Sequence, residues 1–418
     1  YRMPNFKIGK QGLERVVNQR LLGDPGFKRI EVNARGRHLR EISRLSPKTG
    51  DNVALTLSHD LQLLAQECLD QHRAGAIVLL SVKTGEVMAC CSHPSFDPNQ
   101  FVRGFSTTEW KDLLNNPDKP LNNKALRGVY APGSTYKMIV MLAAMKAGMS
   151  IKRSVNCTGY IEVSNQRFHC WKKGGHGRVD MHDSLVNSCD IFYYEVAQKL
   201  GLEAINEIAE QFGFGRTVSS DFEAMEASGL LPSRAWKERR VGYDWNIGDS
   251  IQVSIGQGFM LATPLQLATM TARLATGRKV VPRITIPDKI ETFEKLDIPP
   301  YHLQMVRKAM NDVVNSDEGT AKGSRINERR FAFAGKTGTA QVRRISLSER
   351  EKGVYTNDEI SYLQRDHSHF VGYGPVTNPE FAVSVVVEHG GSGSAVAAPI
   401  ARKMLSAAMI KSAVGRTV

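Results

Sequence analysis

No uninterrupted apolar run in these 418 residues approaches the roughly 20 residues that a helix needs to cross a bilayer. The nearest candidate, Met138 to Met149, is broken by Lys146. The chain does not open with a secretory leader either. It begins at Tyr1 rather than methionine, as expected of a piece trimmed at its N-terminus, so a missing anchor says little about the native protein. No internal repeat is visible. Lysine and arginine exceed acidic residues to give a formal net charge of +13, but the basic clusters are short, such as Arg35-Gly36-Arg37 and Arg343-Arg344. No aromatic-interleaved motif accompanies them, which argues against nucleic acid as a partner. A scattered basic surface reports mainly solubility and loose attraction to acidic partners. Cysteine is scarce, with six in all. Cys68, Cys90 and Cys91 stand in apolar runs and read as buried small residues.

What is present is an ordinary globular composition, 41% hydrophobic and 23% charged, which excludes disorder and allows a sizeable core. Residues 1–50 are polar, basic and glycine-dotted, with one short alternating stretch at Arg29–Ala34. They read as the remnant of a separate extended module, ending at the turn Pro47-Lys48-Thr49-Gly50. Asp60 to His72 has helical spacing. Ala76–Val82 and Val87–Cys91 then flank a Lys83-Thr84-Gly85-Glu86 turn, a hairpin pattern. From about 105 to 330 the chain reads as mainly helical, with helices predicted at Met138–Lys146, Ile191–Leu200, Leu202–Phe212, Pro264–Ala275 and Tyr301–Val314. Strands return at Phe331–Gly335, His369–Tyr373 and Phe381–Val387, and a last helix follows from Pro399 to Ala413. Arg343 to Asp366 reads as a long charged loop. The expected fold is therefore α/β of the α+β kind. A mostly antiparallel sheet of about five strands is flanked by terminal helices, a helical lobe is inserted, and a site lies in the cleft between them.

Three short motifs carry the chemistry. Ser134-Thr135-Tyr136-Lys137 follows Pro132-Gly133 at a helix start, where positions i and i+3 share a face. A serine hydroxyl becomes a nucleophile when a neighbouring base takes its proton, and a lysine serves if burial and nearby positive charge leave its amine neutral. Ser188-Cys189-Asp190 lies between two helical stretches, where a hydroxyl can relay a proton to a leaving group. Lys336-Thr337-Gly338-Thr339 ends an apolar strand. There a lysine and two hydroxyls can hold a carboxylate, and Gly338 lets a substrate backbone come near the strand edge. Each motif alone has a bland structural reading, as a helix cap or an exposed turn.

In that order, the three motifs match the Ser-x-x-Lys, Ser-Asp-Asn and Lys-Thr-Gly signature of penicillin-binding proteins and class A β-lactamases, the second only in part. Gly128–Lys137, Phe96-Asp97-Pro98-Asn99, Ser254–Gly258, Thr263-Pro264-Leu265-Gln266 and Gly335–Ala340 resemble class B penicillin-binding proteins of the elongation type. Division-type relatives usually carry Asn where this chain has Asp190. The resemblance implies a penicillin-binding transpeptidase domain at 51–418 with a pedestal remnant at 1–50. It implies a D,D-transpeptidase acting on peptidoglycan stem peptides and acylated by β-lactams. Ser134 would be the nucleophile, Lys137 its base, Ser188 and Lys336 proton relays, and Thr337 and Thr339 the carboxylate site. Asp190 would stand in the substrate-contact position of the amide. The backbone N–H groups of Ser134 and Thr339 would form the oxyanion hole, and catalysis would need no cofactor. A membrane glycan polymerase is the implied partner, and an inner-membrane protein with a periplasmic catalytic domain the implied setting. A D,D-carboxypeptidase, a β-lactamase on the same fold, or a non-catalytic penicillin-recognising sensor are the alternatives.

Cys157, Cys170, His176 and Cys189 follow one another with twelve, five and twelve residues between them. Three thiolates and an imidazole suit a closed, structural zinc site. His169 is an alternative ligand to His176, and a disulfide or buried free thiols are alternatives to metal. Some elongation-type relatives carry a metal cluster at equivalent places, often with carboxylates in place of two of these thiols.

Overall fold

The computed structural model describes residues 8–287, 289, 292–343, 345, 349 and 354–415. Strands β1 (Phe27–Val32) and β2 (His38–Leu45) pair antiparallel into a hairpin that is exposed along both arms. The sequence pattern shows only the first arm, and neither arm has a buried face to impose an alternation.

The central frame is built from β3 (Gly75–Ser81), β4 (Val87–His93), β9 (Ala334–Ala340), β10 (His367–Gly374) and β11 (Phe381–Val387). All neighbours pair antiparallel in the order β4-β3-β11-β10-β9. Ile77 and Leu79 point to one face, and Val78 and Leu80 to the other, as the two-residue period requires. The first face is covered by α1 (His59–Leu69) and by α8 (Ala398–Gly415), through Leu61, Ala65, Ala401, Met404 and Leu405. The second face packs on the large core that also holds α2 (Lys137–Lys146), α4 (Asp190–Gln211) and α6 (Pro264–Thr276). Both faces being buried explains why β3 and β11 read as continuous apolar runs. β4 and β9 are the two edge strands of the sheet, and α7 (Pro300–Asn315) packs beside β9.

The stretch from 105 to 330 is less uniformly helical than its sequence pattern predicts. It contains β5 (Ser154–Cys157) paired with β8 (Gly177–Asp180), and a hairpin of β6 (Tyr160–Val163) with β7 (Gln166–His169). Strands this short carry too few side chains for periodicity to show. The one legible signal is the turn Ser164-Asn165, where both residues take positive φ, 50° and 61°, as tight hairpins favour. A further correction concerns the third motif. Arg329–Phe331 is a short 3₁₀ turn and β9 begins at Ala334, so Lys336–Thr339 lies within the strand rather than beyond its end. The long charged loop falls partly outside the described residues.

α2 is apolar all round and almost wholly buried, because it runs through the core instead of along its surface. It is also the platform that fixes the first motif. Leu142→Ala, at a fully buried position of this helix, is expected to lower stability by about 2–5 kcal/mol, read as a lower denaturant midpoint at unchanged slope.

Candidate active site

Gly133–Tyr136 forms a 3₁₀ turn that runs directly into α2, whose first residue is Lys137. In a 3₁₀ turn residues i and i+3 eclipse, so Ser134 and Lys137 stand on one side. Gly133 has φ +56°, and a Cβ there would fall 2.7 Å from the Thr339 carbonyl oxygen. Only glycine lets this turn lie flush against β9. A carbonyl from the next layer fixes it there, since the Gly133 N–H donates to Gly256 O at 2.8 Å. Gly338 plays the matching part from the strand. Its missing Cβ would meet Thr135 Cγ2 at 2.9 Å and Pro132 O at 3.1 Å, so it admits the Ser134 turn.

Lys137 has no exposed surface. Its Nζ donates to Asp190 Oδ1 at 2.6 Å, Ser188 O at 2.9 Å and Ser188 Oγ at 3.2 Å. With these contacts the buried side-chain nitrogen is not left without a polar partner. The loop that supplies them joins α3 (Met181–Val186) to α4, and Ser188 takes φ +54°, a left-handed conformation uncommon outside glycine and asparagine. Asp190 is tied on its far side as well, where Oδ2 accepts the Trp171 backbone N–H at 2.9 Å. Burial pushes the Asp190 carboxyl up against the opposing pull of Lys137.

Lys336 is the second fully buried lysine. Burial, reinforced by the charge of Lys137, holds its amine well below the ordinary range. It donates to Thr337 O at 3.0 Å. The cleft itself, about 1940 Å³, is lined by Ser134, Ser188, Asp190, Thr337, Gly338 and Thr339, among others. The expected site residues thus converge, with the hydroxyls facing the cleft and the two lysines packed behind its wall.

Three further cleft residues carry no motif of their own. Trp171 is 61% exposed, yet its indole N–H is fixed by Ser188 O at 3.0 Å. Gln257 Nε2 donates to Thr339 O at 3.1 Å. Thr320 Oγ1 lies 3.0 Å from Thr337 Oγ1. Gln257 stands inside Ser254–Gly258, a segment singled out by resemblance alone. The sequence offers nothing for Thr320 or Trp171.

The cysteine cluster forms behind the same loop. Donor atoms of Cys157, Cys170, His176 and Cys189 all lie within 4.8 Å of one another. His176 Nδ1 is 3.6 Å from Cys157 Sγ and 3.5 Å from Cys170 Sγ. Tetrahedral zinc with bonds of about 2.3 Å to sulfur and 2.0–2.1 Å to nitrogen places adjacent S and N donors about 3.5 Å apart. The donor set and its spacing therefore fit such an ion. The cluster takes in His176 and not His169, whose ring instead packs on Tyr160. The cluster joins the end of β5, the segment between β7 and β8 and the Ser188 loop.

Comparison with known proteins agrees with this geometry. The model of the penicillin-binding protein transpeptidase domain matches residues 75–406, and that of the penicillin-binding protein dimerisation domain matches residues 1–55. The peptidoglycan D,D-transpeptidase MrdA of Acinetobacter baumannii is 38% identical over 94% of this chain. The chain spans 60% of that relative's length. A crystal structure of Pseudomonas aeruginosa PBP2 in complex with WCK 5153 superposes with TM-score 0.80 at 35% identity, covering 96% of this chain and 83% of the other. A structure described as showing the coordination of polymerization and crosslinking by a peptidoglycan synthase complex gives TM-score 0.80 at 32% identity, over 96% of this chain and 70% of its counterpart. With its three motifs gathered around one cleft and its sequence matched from residue 75 to 406, the chain belongs to the penicillin-binding protein transpeptidase family.

Proposed function

We propose that this chain is the catalytic portion of a peptidoglycan D,D-transpeptidase that cross-links stem peptides during cell elongation and is acylated by β-lactams. The observation that carries the reading is the convergence of Ser134, Ser188 and the Thr337–Thr339 strand edge on one cleft, with Lys137 and Lys336 buried behind it. Ser134 Oγ attacks the carbonyl of the penultimate D-Ala, and its proton passes to Lys137 in its neutral form. The departing D-Ala nitrogen takes a proton through Ser188 and Lys336, leaving an acyl-enzyme that an amine of a second stem peptide resolves. The Ser134 and Thr339 N–H groups receive the oxyanion, a role supported by how closely Gly133 holds the turn to Thr339. Thr337 and Thr339 bind the terminal carboxylate across the backbone of Gly338, and Asp190 keeps Lys137 in place. Intact-protein mass spectrometry with benzylpenicillin tests the reading: a long-lived adduct of one penicillin is expected, whereas rapid turnover of the antibiotic would make the chain a β-lactamase.

The same reading makes residues 1–50 the remnant of the pedestal, with residues 51–418 as the transpeptidase domain. It puts the catalytic domain in the periplasm beside a membrane-embedded glycan polymerase. Among the described residues no helix is long and apolar enough to cross a membrane, so the tether to the inner membrane would be supplied outside them.

Zinc held by Cys157, Cys170, His176 and Cys189 would cross-link the loops it joins, a structural role needing no open coordination position. The residues themselves show why this matters to the site. Cys189 stands between Ser188 and Asp190, and Cys170 precedes Trp171, which bonds to both Asp190 and Ser188. Removing metal with a strong chelator is expected to lower the melting temperature and to slow penicillin acylation. Metal loss with both unchanged would contradict the assignment.

A further inference from the structure

Thr320 sits just past α7, in a segment that folds back on that helix's last turn. The Ala321 N–H donates to Val313 O at 2.9 Å, and a Cβ at Gly319 would fall 2.3 Å from the same oxygen. This tight return brings the Thr320 side chain to the cleft, 3.0 Å from Thr337 Oγ1. Thr337 is 8% exposed, and its own oxygen is otherwise approached by Lys336 Nζ at 3.5 Å. One hydroxyl of the Thr320–Thr337 pair must donate to the other. If Thr337 donates, it turns a lone pair toward any anion in the cleft. If Thr320 donates, the Thr337 proton stays free for the anion, and Lys336 supports that arrangement because an amine N–H also points at the Thr337 oxygen.

We propose that Thr320 is a positioning residue for the substrate carboxylate: its hydroxyl donates to Thr337 Oγ1 and so aims the Thr337 proton into the cleft. The inference rests on the transpeptidase reading and adds to it a determinant of selectivity for anionic substrates and β-lactams. Its effect falls on ligands bearing the carboxylate and spares those without it.

The test compares acylation rate constants for benzylpenicillin and for its methyl ester, which lacks the anion. Thr320→Val keeps the branched shape and removes the hydroxyl, and Thr320→Ser keeps the hydroxyl. Thr320→Val is expected to lose about tenfold on benzylpenicillin and little on the ester, with Thr320→Ser near the parent. Combined with Thr337→Val, it should cost no more than Thr337→Val alone, since both act through one hydroxyl. Equal losses on acid and ester, accompanied by a lower melting temperature in Thr320→Val, would overturn the proposal in favour of a packing role, and so would no loss on either. A parent chain that penicillin does not acylate at all would instead remove the transpeptidase reading beneath it.

Discussion

Ser134→Ala is expected to abolish the covalent penicillin adduct and to lower turnover of stem peptides by on the order of 10⁴-fold or more, the scale seen when a serine enzyme loses its nucleophile. The chain should still fold normally. Ser134 is partly exposed at the cleft, whereas the contacts that fix its turn come from the Gly133 and Thr135 positions. Reversible binding of penicillin should also survive, because Thr337 and Thr339 keep their place on β9. The variant is therefore expected to separate binding from chemistry, with retained weak affinity, no mass increase and an unchanged melting temperature. An adduct of parent-like yield on the alanine variant would show that another nucleophile is acylated.

The second large effect concerns the buried pair behind the serine. Lys137→Met is expected to slow acylation about 10²–10⁴-fold, the range for removing a general base. It should also destabilise the protein by about 3–5 kcal/mol, because Asp190 would be left as an unpaired buried carboxylate. Adding Asp190→Asn removes the stranded charge. The double variant is expected to regain most of the lost stability and none of the lost rate. Rate and stability recovering together would reduce Lys137 to a structural role, and so would a Lys137→Met enzyme that acylates at the parent rate.

The parts of this account that were legible in the sequence are the local ones. Lys137–Lys146 shows as an apolar run of helical length, Pro264–Thr276 as helical spacing after a proline start, and β3–β4 as two β-rich arms about a turn, while a motif such as Ser134-Thr135-Tyr136-Lys137 is recognisable within four residues. Spatial convergence is a different matter. Nothing local brings Lys336 to Lys137. That proximity follows from β9 being an edge strand of the sheet and from Gly133 and Gly338 letting two backbones touch. The same limit explains the histidines. The sequence points to His176 with His169 as its alternative, and it takes the pairing of β5 with β8 and of β6 with β7 to set the His176 ring among the thiols. It also applies to Gly338, whose closeness to the Ser134 turn no local pattern shows. Thr320 was invisible because its function, as inferred here, depends wholly on one contact made across seventeen residues of chain.

The most direct test of the central claim is a product analysis. The chain is incubated with a stem pentapeptide ending in D-Ala-D-Ala and a second stem peptide bearing a free side-chain amine, and the products are resolved by mass spectrometry. The account predicts free D-Ala together with a cross-linked dimer, both absent with Ser134→Ala. Release of D-Ala with only the hydrolysed tetrapeptide would contradict it in favour of a carboxypeptidase. Penicillin acylation with no D-Ala release at all would contradict it in favour of a sensor.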